Sequence, residues 1–139
     1  MAQTLIFDSK ELKLSYDKDT QLYVIQWLED ALNLDEQQFK DKNIFIVAKA
    51  KENPLKKVLV DTRNVIYPVT DELTMWLMEN VNKPILEHGA KKVAFLYPKD
   101  YLTKLGIEGY FSEIIKSERE TRFSFFDDLD KAMQWLLED

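Results

Sequence analysis

Two short runs of uninterrupted apolar residues, Val58-Leu59-Val60 and Val93-Ala94-Phe95-Leu96, constrain this chain more than any other feature. Neither alternates with polar residues, so neither suits a strand with one wet face. Runs this short, closed by Asp61 and by Pro98, read as strands buried on both faces in the middle of a parallel sheet. Parallel neighbours need a long crossover, usually a helix. The intervening chain supplies one, with Thr70 as N-cap, Asp71 and Glu72 in the first turn, and His88-Gly89 as the stop. Leu73, Trp76, Leu77, Val81 and Ile85 follow the helical period and mark its buried side. Pro84 falls inside this helix, and should kink it and free the carbonyl of Asn80.

The flanking segments extend the pattern. Leu5 to Phe7 is apolar, Leu12, Leu14 and Tyr16 alternate with polar residues, and 22–28 is β-branched and aromatic beyond a turn at 17–20. Together they predict an antiparallel opening. Asp35 can cap a helix running to about Glu52, with Phe39, Ile46, Val47 and Ala50 on one face. Ile44 to Val47 would also suit a strand, but the charged flanks with Ala48 and Ala50 favour helix, and Asn53-Pro54 ends it. After the second buried strand come a short helix or turn at Tyr101–Leu105 ended by Gly106, and a helical piece from about Glu108 to Lys116 with Phe111, Ile114 and Ile115 inward. A strand at Arg122–Phe126 follows. Asp127 would cap a last helix that buries Leu129, Ala132, Met133 and Leu136. The order β-β-α-β-α-β-α-β-α predicts one α/β domain over 1–139, a mixed, mainly parallel sheet covered by helices.

Composition narrows the chemistry. With 25 acids against 19 bases the net charge is −6, which repels a phosphate backbone, so no nucleic-acid partner is expected. The chain has no cysteine and one histidine, His88, so thiol chemistry and Cys- or His-rich metal sites are excluded. Its 3 glycines form no phosphate-binding loop. Asp127, Asp128 and Asp130 lack the Gly and distant Glu of a calcium loop and suit a first helical turn instead. His88, just before Gly89, suits a helix C-terminus better than a catalytic base. No metal or cofactor is expected. The N-terminus lacks a basic, apolar leader, and nowhere do 18 apolar residues run together. A cytoplasmic protein without integral membrane association is the expectation.

Three segments carry a family resemblance: Lys57-Val58-Leu59-Val60-Asp61-Thr62-Arg63, Gly89-Ala90-Lys91-Lys92-Val93-Ala94-Phe95, and Phe126-Asp127-Asp128-Leu129-Asp130-Lys131-Ala132-Met133-Gln134-Trp135-Leu136. Their order and spacing resemble the SpoIIAA-like branch of the STAS superfamily, which adjoins the CRAL-TRIO lipid carriers. The resemblance spans about residues 12 to 137. It implies a four- or five-stranded sheet with helices mostly on one face, and a role in protein–protein switching or ligand sensing. In the antagonists of that family a phosphorylatable Ser caps the helix after the Asp-terminated strand. Thr70 stands at the matching cap here, with Val69 before it where the family has Asp, and with Asp71 and Glu72 after it.

The candidate binding or switch surface is therefore Asp61, Arg63 and Asn64 at one strand end, Tyr97 and Lys99 at the next, and Thr70 at the helix start. The simpler expectation is a strand-end turn in which Asp61 accepts backbone N–H bonds and Arg63 answers its charge. Met75 and Met78, with Ile85 or Leu86, are expected to form an outward face for an unknown protein partner or a second copy of the chain. Trp27, Trp76, Trp135, Phe39, Phe95, Phe111, Phe125 and Phe126 either line an apolar ligand cavity or form the core. A non-enzymatic regulatory or protein-interaction domain of the STAS type is the leading expectation, and a carrier or sensor of a small apolar or lipid-like ligand the alternative.

Overall fold

The computed structural model describes residues 3–64, 70–100, 102, 104–109, 112 and 121–138. Its centre is a six-stranded mixed sheet whose spatial order is the chain order. Strands β1 (Thr4–Asp8), β2 (Leu12–Asp17) and β3 (Leu22–Trp27) form an antiparallel meander. Strands β4 (Lys57–Asp61), β5 (Lys92–Leu96) and β6 (Arg122–Phe126) continue from β3 in parallel. The two apolar runs are β4 and β5, side by side with Val58 opposite Val93 and Val60 opposite Phe95. Every residue of β5 is buried.

The opening holds one strand more than the sequence suggests. No Gly or Pro marks the turn between β1 and β2. It is built on Ser9, whose hydroxyl accepts from the Glu11 and Leu12 amides at 3.3 and 3.1 Å and donates to the Leu12 carbonyl at 3.1 Å. A hydroxyl standing in for a backbone turn is a weaker signal than Gly or Pro.

Helix α1 (Glu36–Ala50) begins with a capping box in which the Asp35 carboxylate accepts from Gln38 N and the Gln38 side chain accepts from Asp35 N. Such a cap contributes about 1 kcal/mol. The helix buries Ile46, Val47 and Ala50. The β4–β5 crossover is one helical rod: α2 (Asp71–Leu77), a π-turn at Met78–Asn82 and α3 (Lys83–Glu87). Thr70 caps it by accepting from Leu73 N at 3.1 Å. The expected distortion at Pro84 takes the form of that π-turn. A proline ring clashes with the carbonyl four residues back, here Asn80, and an extra residue in the turn moves that carbonyl aside.

Residues 104–109 form α4, which passes through Gly106, so Gly106 does not end it. Residues 113–116, with the expected inward Ile114 and Ile115, and Phe111 lie outside the described residues. Helix α5 (Leu129–Leu137) is capped by Asp128, which accepts from Asp130 N, and not by Asp127. It buries Ala132 and Leu136, while Leu129 is exposed.

Successive right-handed crossovers that advance in one direction place their helices on one face of the sheet. The larger core accordingly joins α1, α2 and α3 to Leu12, Leu14, Tyr23, Ile25, Trp27, Val58, Val93 and Phe95. Helix α5 packs on the opposite face against Leu22, Leu59, Ala94 and Leu96. Its C-terminus is held by Lys92, 3% exposed, whose Nζ donates to the carbonyls of Trp135 and Glu138 at 2.7 Å each. A buried ammonium thus answers the negative end of that helix. Among the described residues no helix is long and apolar enough to cross a membrane.

Gly89 ends α3 at φ 123°, and a Cβ there would stand 3.0 Å from the Leu55 carbonyl. Gly89→Ala should lower stability by more than about 1 kcal/mol. Gly109→Ala, in helix α4 with nothing within 4 Å of the added Cβ, should raise it by up to about 1 kcal/mol. Urea midpoints of the two variants check both signs.

Candidate functional site

At the C-terminal end of β4 the Asp61 carboxylate is buried but fully answered. Its Oδ1 accepts from Arg63 N at 3.1 Å and from Arg63 Nε at 3.0 Å, and its Oδ2 accepts from Arg63 Nη2 at 2.8 Å. The Asp61 side chain is 5% exposed and that of Arg63 is 36% exposed. These hydrogen bonds hold the Arg63 pKa above its ordinary value against the opposing effect of burial. A bidentate pair closed by its own backbone amide leaves the carboxylate little to offer a substrate. This is the strand-end turn expected as the simpler reading.

The neighbouring strand end is stitched to this turn. Lys99 N donates to the Arg63 carbonyl at 3.2 Å, Thr62 N donates to the Leu96 carbonyl at 3.3 Å, and the Thr62 hydroxyl donates to the same carbonyl. Asn64 Nδ2 reaches the Trp27 carbonyl at 3.5 Å, long for a hydrogen bond. Asp61, Arg63, Asn64, Tyr97 and Lys99 therefore share one end of the sheet.

They do not share one face. Side chains alternate along a strand, and Asp61 falls on the face of Leu59, which α5 covers. Tyr97 belongs to the other face. Its ring stacks on Phe125 at 4.7 Å and 8°, with Lys104 Nζ 4.2 Å from its centroid. Burial, then Glu108 and Asp127, raise the Tyr97 pKa, which keeps the phenol neutral. A catalytic centre joining Asp61, Arg63 and Tyr97 is not assembled. Thr70 belongs to the first turn of α2, with its oxygen engaged in capping.

The two methionines of the expected partner face part company. Met75 is 71% exposed, whereas Met78 packs on the core with Leu86, and Ile85 is buried. Both methionines precede the phase shift; residues beyond the π-turn are set one position back, which bears on Ile85. His88 Nε2 lies 2.8 Å from the Asn53 carbonyl, a tie between α3 and the end of α1.

An enclosed concavity lies on the face covered by α1, α2 and α3. An apolar cavity of about 100 Å³ has a floor of Ile25, Val58, Val60, Val93 and Phe95 from the sheet. Helix α1 supplies Phe39, Asn43 and Ile46, the rod supplies Leu77, Val81, Asn82 and Ile85, and Ile107 of α4 closes one side. Trp27 and Thr62 complete it. Ile25, Val58, Val93 and Phe95 of the floor are buried, while Val60, Phe39, Leu77, Val81 and Asn82 are half-buried, so the cavity approaches solvent past Val60 and on the side of α1 and the π-turn.

Of the aromatic residues considered for a cavity, Trp27, Phe39 and Phe95 line it. Trp76 sits under Lys40 Nζ, Phe125 against Tyr97, and Phe126 with Trp135 on the α5 face. Three polar lining residues, Asn43, Thr62 and Asn82, stand outside the candidate residues read from the sequence. The signal for Asn82 was Pro84, whose effect on helix phase brings residue 82 round. Among the described residues no group of three His, Asp or Glu side chains is placed to hold a metal ion.

No protein-family model, no curated protein and no solved structure matches this sequence.

Removing one partner of a buried pair costs more than replacing both. Arg63→Leu should lower stability by about 2 kcal/mol, and Asp61→Asn combined with Arg63→Leu should recover part of that loss, as read from urea midpoints.

Proposed function

We propose that this chain is a non-enzymatic regulatory domain of the STAS type that senses or carries a small apolar ligand. The observation that carries this reading is the cavity between sheet and helices, walled almost wholly by apolar side chains and approached past the half-buried π-turn. Protein interiors are close-packed, and voids larger than a water molecule are few. An apolar void of this kind stays dry and accepts apolar guests; a cavity of about 150 Å³ lined by Leu, Ile and Phe takes up benzene.

The non-enzymatic half rests on the commitments of the reactive groups. Asp61 is spent on Arg63, the Thr62 hydroxyl on the Leu96 carbonyl, and His88 faces a backbone carbonyl. Among the described residues no nucleophile stands beside a base, as covalent catalysis requires. The regulatory half rests on the rod that roofs the cavity. The same rod carries the Thr70 cap at its start and exposed Met75 on its outer side. A guest beneath Leu77 and Val81 bears on the rod that presents Met75 to an unknown protein partner or a second copy of the chain.

Native mass spectrometry of gently purified protein tests the reading. A retained small organic mass is expected on the native chain and should vanish from Val81→Phe, whose larger side chain fills the cavity. A clean apo mass for the native chain, or the same adduct on both, would remove it.

A further inference from the structure

The π-turn does more than relieve Pro84. A regular helix advances about 100° per residue. Counted from buried Leu73, an unbroken helix would put Asn82 at about 180°, on the opposite side, and Ile85 at about 120°. One extra residue in the turn sets both back by about 100°, so Asn82 comes to about 80° and Ile85 to about 20°. Ile85 is buried and Asn82 lines the cavity, as this phase requires. The turn itself is shown by Lys83 N donating to the Met78 carbonyl, five residues back.

The turn thus brings Asn82 to a mostly apolar wall, beside Asn43 and Thr62. Among the described residues the Asn82 side chain has no hydrogen-bond partner, while its cavity neighbour Asn43 donates to the Phe39 carbonyl at 2.9 Å. Thr62, which lines the cavity, spends its one hydroxyl proton on the Leu96 carbonyl, so its oxygen can serve a guest as an acceptor only. Among the described residues no Lys, Arg, Asp, Glu or His lines the cavity.

Resting on the ligand-cavity reading above, we infer that the site selects a neutral apolar molecule bearing one hydroxyl group, with Thr62 Oγ1 accepting its proton and the Asn82 amide donating to its oxygen. A carboxylate or an amine finds no opposite charge there, and burying an unpaired charge is unfavourable. A pure hydrocarbon makes no hydrogen bond to the amide and gains nothing from it. Pro84 is a positioning residue for this selection, because it holds the turn that orients Asn82.

Phenol and toluene differ by hydroxyl against methyl at nearly constant shape, and hydrophobicity alone favours toluene. Amide chemical shifts of the full chain are followed while each probe is titrated into the native protein and into Asn82→Leu. Phenol should bind the native chain at least tenfold more tightly than toluene, and Asn82→Leu should invert that order. Toluene binding as well as or better than phenol in the native chain, or an unchanged ratio in Asn82→Leu, overturns the hydroxyl selection and leaves the cavity reading standing. Shifts from neither probe overturn both. Thr62→Val provides a second arm and should likewise lose the preference for phenol while still binding toluene.

Discussion

The sequential order of the parallel strands governs this molecule. Each step from β3 to β6 moves one place along the sheet in the same direction, and right-handed crossovers then have only one face to occupy. Helices α1 to α4 are stacked on that face, and α5 packs on the other. Three crossover segments converging on one twisted surface must close over the same few strand residues. Their fit is the most demanding packing problem in the fold, and the cavity lies where α1, the rod and α4 meet above Ile25, Val58 and Phe95.

The second constraint is local. Pro84 cannot sit in a regular helix interior without clashing with the carbonyl of Asn80. The π-turn resolves the clash and determines which residues face the sheet beyond it. Without that shift Ile85 would leave the core, and with it Asn82 enters the cavity wall. One residue therefore couples helix phase, core packing and the polarity of the site. The Asp61–Arg63 pair acts differently. It fixes the strand end that sets Thr62 in place, and Lys99 N clamps the adjoining loop to it.

Much of the architecture was legible in the sequence because its strongest signals are physical necessities. The continuous apolar runs had to be interior parallel strands, Asp35 and Thr70 had to cap, and Gly89 had to end a helix at positive φ. What the sequence obscured follows from weaker chemistry. The β1–β2 turn rests on a serine hydroxyl, so β1 was merged into the opening. Asp127 and Asp128 are equally good caps by type, and only the geometry separates them. Gly106 lies within α4, where a helical glycine carries no stop signal unless the backbone turns left-handed. The site was harder still. Asp61, Arg63, Tyr97 and Lys99 lie at one sheet end, but strand alternation divides Asp61 and Tyr97 between faces. Met78, expected outward, packs on the core where the π-turn begins, and Asn82 carried no signal of its own.

The central claim is that the space between sheet and rod is a ligand site and not a packing defect closed by its own side chains. Xenon fills dry apolar cavities and reports them directly by anomalous scattering. Crystals pressurised with xenon should show a strong peak bounded by Ile25, Val81, Ile85 and Phe95. Crystals that show no xenon there, with those side chains in mutual contact across the space, would contradict the account.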